Sequence, residues 1–362
     1  MKICVDARMW GIKHTGIGRY VENLIDNLPG DVTLIVPPDL KNEPKLAKFT
    51  KHYAYFHPYS LLAQFEMLWI LSFIRPDLLH VPHFTIPVLW PGKMVVTIHD
   101  LIKHLSKGRD TTTRHPLLYW PKYLGYLAIV WLAVHRASRI IVPVKYWKDI
   151  LIRKYRLNPD KIAVTYEGVT PIYFQKPSSP IEIGSPTPFV IYTGNLYPHK
   201  NIPVLLSAIK LLKGKVSLVI SCARSVFTSR AEDLIAKENL QKFVKFLGRA
   251  SDADLLSLYQ KSLAFVTPSL IEGFGLSGLE AMAAGAPVVA ARASCLPEVY
   301  GDAAMFFDPH DPVDLADKIQ ALLIDKKLRQ KLITAGRAQV AKYSWATMAA
   351  QTWQIYENKV HN

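Results

Sequence analysis

Glu272 and Glu280 stand with seven residues between them in Ser269-Leu-Ile-Glu-Gly-Phe-Gly-Leu-Ser-Gly-Leu-Glu280, across a glycine-bearing turn whose pattern predicts a helix start. A helix start aims free backbone N–H groups and the positive end of the helix dipole at one point. Carboxylates flanking that point can accept from hydroxyl groups, so the arrangement suits a phosphate that carries polyhydroxylated groups. A nucleotide sugar fits. On this reading the Gly275, Leu276 and Ser277 N–H groups meet phosphate oxygens, Glu280 accepts from a ribose diol, and Glu272 contacts the transferred sugar. Spacing alone also allows one solvated glutamate and one favoured by the helix dipole.

Three further constellations follow apolar runs that read as strands. Tyr192-Thr-Gly-Asn-Leu-Tyr-Pro-His-Lys-Asn201 places the fixed positive charge of Lys200 on a proline-restricted turn before a helix, where it can meet a diphosphate, and Asn195 can donate from its amide. Val95-Val-Thr-Ile-His-Asp100 ends a strand in His99, whose imidazole could bond a sugar hydroxyl, relay a proton, or simply cap the next loop. Thr15-Gly-Ile-Gly-Arg-Tyr20 opens the first helix: Gly16, Ile17 and Gly18 let backbone approach an anion, or form no more than a tight turn. The dinucleotide fingerprint is incomplete there, because Val21 stands where a third glycine is expected.

The positioning elements alternate β and α twice. Runs 2–6, 32–37, 78–81, 94–99, 139–143 and 162–166 predict buried strands, with helices over 18–28, 60–74 and 116–137. Five prolines between 171 and 188, among serines and a glycine, predict a linker. The pattern then restarts, with strands over 189–193, 216–221, 244–247, 263–267 and 287–290 and helices between them. The implied fold class is α/β: two doubly wound, Rossmann-like domains facing across a cleft, with ligands at the carboxyl ends of the strands.

Asp252 and Asp254 resemble a metal-holding pair, but Ser251 and Asp252 directly precede a helical run, so capping accounts for them and no metal is expected. No P-loop, HExxH, nucleophile elbow or zinc-type cysteine spacing occurs in the sequence. Cys4, Cys222 and Cys295 are odd in number and lie in apolar stretches, which points to a reducing cytoplasm. Asp6 and Arg8 interrupt any N-terminal signal run, so export is not expected. The apolar run 123–134 is shorter than the roughly 20 residues of a spanning helix and reads as a buried helix.

Net charge is +15, and residues 1–180 carry 24 Lys+Arg against 13 Asp+Glu while the remainder carries 20 against 16. The stretch from Lys145 to Lys161 mixes cations with Tyr146, Trp147 and Tyr155. Such a mixture suits an anionic membrane surface or a nucleic acid, or is a solvated helix face.

On the motifs Asp6-Ala-Arg8, Thr15 to Tyr20, Thr97-Ile-His-Asp100, Gly194 to Asn201 and Glu272 to Glu280, the chain resembles the retaining glycosyltransferases of family 4, with the GT-B fold, and their bacterial polysaccharide, mannosyltransferase-like members. The resemblance implies an N-terminal acceptor-side domain over 1–170, a linker over 171–187, a nucleotide-sugar domain over 188–342, and a closing helix over 343–362 that returns to the first domain. It implies that Lys200 meets the donor diphosphate, Glu280 the ribose and Glu272 the donor sugar, with His99 beside the transferred sugar and the Gly16–Gly18 loop at the phosphates.

The reaction it implies is retaining transfer of glucose or mannose from a UDP- or GDP-linked donor, without metal or cofactor. The acceptor it implies is a saccharide of cell-surface polysaccharide synthesis. From the basic first half we expect a lipid-linked acceptor, at an anionic membrane surface on the cytoplasmic side, and no nucleic-acid partner. Many family members carry arginine where this chain has Asn195, so Arg249 or Arg19 is expected to supply the second cation. Two other readings stay open: a sugar-nucleotide epimerase of similar architecture, and a non-catalytic basic protein that binds membrane or nucleic acid.

Overall fold

The computed structural model describes residues 2–11, 14–108, 116–176, 187–223 and 226–360. The chain divides into two compact units, the first made of Met1–Leu101, Arg114–Gly168 and Ser344–Asn362, the second of Ile102–Thr113 and Val169–Tyr343.

The first unit is built on seven parallel strands: β1 (Ile3–Asp6), β2 (Thr33–Val36), β3 (Thr50–Tyr53), β4 (Leu78–Val81), β5 (Met94–Thr97), β6 (Arg139–Val142) and β7 (Ile162–Val164), in the order β3-β2-β1-β4-β5-β6-β7. β1, β4 and β5 are buried throughout, as parallel strands covered on both faces must be. Chain order reverses between β1 and β4, where Val5 pairs with Leu34 on one side and His80 on the other.

The helix Thr15–Asn27 buries Tyr20, Val21, Leu24 and Ile25 at helical spacing. It packs against Trp345–Val360, the final helix, whose Tyr356 hydroxyl lies 2.5 Å from Nδ1 of the buried His80. Contact is close: a Cβ on Gly30 would fall 2.3 Å from the Trp353 ring.

The second unit has six parallel strands: β8 (Phe189–Thr193), β9 (Ser217–Ser221), β10 (Val244–Gly248), β11 (Ala264–Thr267), β12 (Val288–Ala291) and β13 (Ala304–Phe307), ordered β10-β9-β8-β11-β12-β13. Its core gathers apolar side chains from β8, β9, β11 and β12 and from the helices Ile202–Leu211 and Pro312–Ile324. Here the order reverses between β8 and β11, which pair through Ile191 and Phe265.

Several expectations are corrected. β3 and β13 have no counterpart in the sequence reading. The segment Ile102–Thr113, counted with the first domain, groups with the second unit. The linker 171–187 begins as a packed turn: Pro171–Phe174 is a 3-10 helix whose buried Tyr173 donates to Asp252 at 2.9 Å. Residues 177–186 of that linker lie outside the described residues.

The run 123–134 belongs to the longer helix Pro116–Arg136, and the span Leu117–Arg136 is mostly exposed rather than buried. In the helix Lys145–Tyr155 the cations Lys145, Arg153 and Lys154 are exposed, but Trp147 is fully buried, so its ring serves the core instead of a membrane or nucleic acid.

Candidate active site

In the second unit, Lys200 and Glu272 come from the two strands that flank the reversal of chain order. Open α/β sheets bind ligands at that place, because the loops leaving the two strands diverge and leave a crevice. β8 ends at Thr193, and the chain turns through Gly194, at φ +136°, into the 3-10 helix Pro198–Lys200. β11 ends at Thr267 and runs to Glu272. The Lys200 Nζ donates to Glu272 Oε1 at 2.6 Å, with the two side chains 13% and 16% exposed. A backbone bond from Leu270 N–H to the His199 carbonyl, 2.8 Å, ties the two loops together.

This pairing sets the local charge. Burial pushes the Glu272 carboxyl up, but Lys200 by charge and hydrogen bond, then Ser269 and His199, outweigh it and hold Glu272 below the usual carboxylate range. His199 is pushed down to about 4, by burial first and by Lys200 second, with Glu272 opposing. A neutral imidazole therefore sits beside an ammonium.

The loop after Glu272 is fixed by residues that sequence reading did not single out. Ser294, at φ +53°, accepts from the Glu272 N–H at 3.0 Å and donates to the Glu272 carbonyl at 3.2 Å. Burial pushes the Cys295 thiol up, so it stays protonated and donates to the same carbonyl at 3.3 Å. Tyr300 donates to the Gly275 carbonyl at 2.7 Å. The sequence after β12, Arg292-Ala-Ser-Cys-Leu-Pro-Glu-Val-Tyr300, is mixed in polarity and gives no local signal for them, and their partners lie 22 to 25 residues upstream.

Gly275 adopts φ +96° as the residue before the helix Leu276–Ala284, and among the described residues no side chain caps that helix. The first N–H groups of a helix have no acceptor inside it. The Gly278 N–H returns to the Gly275 carbonyl at 3.2 Å, and Leu276 and Ser277 occupy the first two helical positions. Glycine is required nearby by space as well as φ, since a Cβ on Gly278 would fall 2.2 Å from the Tyr300 oxygen. Glu280 lies one turn further along the same helix, buried.

Asn195 is exposed, and its side-chain oxygen accepts from Tyr197 N–H at 3.4 Å, so part of its amide supports the turn. Arg249 is exposed directly after β10, on the side of the sheet beyond β9. Asp252 and Asp254 open the helix Asp252–Lys261, where Ser251 and Asp254 form a reciprocal capping box.

In the first unit, His99 follows β5. Its Nε2 donates to the Pro82 carbonyl at 3.0 Å, Nδ1 lies 3.4 Å from Glu167 Oε1, and its ring meets Tyr20 edge-on at 4.6 Å. Both nitrogens thus have neighbours within the unit, and Glu167 is a further residue the sequence reading passed over. The two glycines of the 16–18 turn differ. A Cβ on Gly18 would fall 1.9 Å from the Gly11 carbonyl oxygen, so packing demands that glycine, whereas no atom of the described residues lies within 4 Å of one on Gly16. Arg19 belongs to the same first helix, half-buried.

Two doubly wound units, the second carrying an ammonium–carboxylate pair and an uncapped helix start at its switch point, define a GT-B glycosyltransferase. The chain belongs to glycosyltransferase family 4: residues 14–171 match the family described as "Glycosyltransferase Family 4" and residues 175–339 the one described as "Glycosyl transferases group 1". It is 27% identical to O-antigen chain mannosyltransferase B of Escherichia coli, over 96% of this chain and 93% of that protein. It is 25% identical to O-antigen chain mannosyltransferase RfbU of Salmonella typhimurium, over 78% and 74% of the two chains. Among solved structures, HepE of Anabaena in complex with UDP-glucose superposes with a TM-score of 0.77 at 17% identity, covering 99% of this chain and 100% of that one, which is a likeness of fold.

Proposed function

We propose that this glycosyltransferase moves a hexose, mannose before glucose, from a nucleoside-diphosphate donor to a growing saccharide acceptor with retention at the anomeric carbon. The single observation that carries the donor assignment is the 2.6 Å Lys200–Glu272 pair at the switch point, next to an uncapped helix start. An ammonium has three donors, of which one goes to Glu272, so the others are available to phosphate oxygens. Preference for mannose is supported by the two O-antigen chain mannosyltransferases among the relatives.

In the reaction the bond from the anomeric carbon to the β-phosphate oxygen breaks and a bond to the acceptor oxygen forms on the same face. The acceptor proton passes to the departing diphosphate. Charge develops on that leaving group, and the protein stabilises it with groups already in place, which lowers the barrier without reorganisation. We assign this to Lys200 and to the Leu276 and Ser277 N–H groups, so the reaction requires no metal or other cofactor. Glu280 holds the ribose and Glu272 contacts the sugar while orienting Lys200. His99 is the first unit's contribution to the transfer, and the acceptor is lipid-linked, presented at the cytoplasmic face of a membrane.

The test is a thermal-shift panel of GDP-mannose, UDP-glucose and the free diphosphates, followed by transfer to a synthetic lipid-linked mannoside in the presence of a chelator. Stabilisation by GDP-mannose and an α-linked product support the proposal. Conversion of the free donor without an acceptor would identify an epimerase, and an inverted product would remove the mechanism.

A further inference from the structure

The outer faces of two helices in the first unit are apolar where a soluble surface would be charged. The helix Leu62–Ile74 buries Ala63, Met67, Ile70, Leu71 and Ile74, yet its other side shows Phe65, Trp69 and Phe73, which follow Leu61 at every fourth position and are 65–83% exposed as a set of four. A helix that packs one apolar face on its own sheet ordinarily turns polar residues to water. The helix Pro116–Arg136 repeats the arrangement, with Leu117, Leu118, Leu124 and Trp131 exposed.

A chain of aromatic rings runs from Tyr59, just before the first helix, to the second helix. Tyr59 meets Phe84 at 6.1 Å, Phe84 meets Tyr126 at 5.1 Å, and Tyr126 meets Tyr123 at 6.1 Å. The loop between the helices is clamped from both sides: Gln64 accepts from Val88 N–H at 2.7 Å, and Arg136 donates to the Val88 and Trp90 carbonyls. An apolar patch of this extent marks an interaction surface.

We propose that this double-helix face seats the first unit in the headgroup–acyl boundary of an anionic lipid bilayer. Three observations select that occupant. Exposed Trp and Tyr rings suit the boundary layer, where one end of the ring is dry and the other wet. Exposed cations accompany the apolar residues, Arg75 just after the first helix and Lys122 within the second. The half of the chain that carries the face has 24 Lys+Arg against 13 Asp+Glu, which attracts anionic lipid and repels a second copy of itself.

The longer helix lies on the membrane and does not cross it. Val130, Ala133 and Val134 are fully buried in the unit, and Arg136 is committed to loop carbonyls. The inference stands apart from the donor chemistry, since it concerns where the protein sits and is read by binding.

Flotation of the full chain with phosphatidylcholine vesicles, with and without phosphatidylglycerol, tests it. The expected result is recovery with the mixed vesicles, weakened but not abolished by salt. Quenching of tryptophan fluorescence by lipids brominated along the acyl chain is expected in the wild type and reduced in Trp69→Phe. Phe65→Ser/Trp69→Ser/Phe73→Ser, and independently Leu117→Ser/Leu118→Ser/Leu124→Ser, should each lower partitioning by about tenfold or more with the melting temperature retained. Lys145→Glu/Arg153→Glu should lower it less.

Wild-type protein that stays with the aqueous fraction, or triple variants that bind as wild type, would overturn the proposal. So would a dimer in light scattering that the triple variants dissociate while no vesicle binding occurs, which would assign the face to a second copy.

Discussion

Lys200 and Glu272, 72 residues apart in the chain, meet at 2.6 Å because β8 and β11 are neighbours in the sheet although two other strands intervene in sequence. The pair is therefore a product of the doubly wound connection and not of either loop alone. What the pair fixes is orientation: Glu272 holds the ammonium at the edge where the chain order reverses.

Replacing Lys200 by Ala should lower kcat/KM by roughly ten- to a hundredfold or more, as loss of a charge-assisted bond worth about 1.5–3 kcal/mol requires. It also leaves the half-buried Glu272 without its cation, so the melting temperature should fall. Steady-state kinetics of the folded variant check this, and unchanged kinetics would take Lys200 out of the site.

Acid should destabilise the protein through its buried imidazoles. His199 is pushed down to about 4, and His80, fully buried and near His99, to about 3 by burial first. A depressed folded value means stability is fully present above the ordinary 6.5 and is lost as pH falls toward those values. Urea unfolding between pH 6.5 and 4 should show a declining midpoint that His199→Gln partly flattens. A midpoint independent of pH in the wild type would contradict it. Glu272 has the same sign at lower pH, its contribution disappearing below about 4.5 as the carboxylate takes its proton.

Gly278→Ala should cost more stability than Tyr300→Phe. The alanine methyl would fall 2.2 Å from the Tyr300 oxygen and 2.3 Å from ring carbon Cζ, so the whole ring must shift. Losing the hydroxyl alone removes one bond to the Gly275 carbonyl, about 1 kcal/mol. For the overpacked variant about 2–3 kcal/mol is expected, with a raised donor KM. Chemical denaturation ranks the two.

His99→Ala should reduce turnover by about tenfold or more while nucleotide binding, measured by thermal shift with the free diphosphate, stays near wild type. His99 belongs to the first unit, whereas the residues assigned to the diphosphate belong to the second. Weakened nucleotide binding in this variant would show that the division of labour is wrong.

The strands that carry the candidate site were legible because they are short apolar runs ending in punctuation: β8 in Gly194, β11 in Thr267-Pro-Ser, β5 in His99-Asp100. β3 was not, since Thr50-Lys-His-Tyr53 is a polar edge strand with no buried side to reveal it. Lys200, Glu272 and the Gly275 turn stood out by type and local spacing. Ser294, Cys295 and Tyr300 did not, because each acts on backbone that only the fold brings near. Residue type also misled. Trp147 in a basic stretch reads as a surface aromatic and proves to be core, while the apolar run from Tyr123 reads as core and belongs to an exposed helix.

The final helix gives the first unit an unusual order of assembly. Trp345–Val360 covers Thr15–Asn27 and supplies the tyrosine beside His80, yet it is synthesised only after the entire second unit. The earlier half of the chain must wait on the ribosome with part of its core uncovered, and its closure is a late step of long sequence separation. A stop codon before Trp345 would therefore harm the remote N-terminal half more than the unit to which the deleted segment is attached.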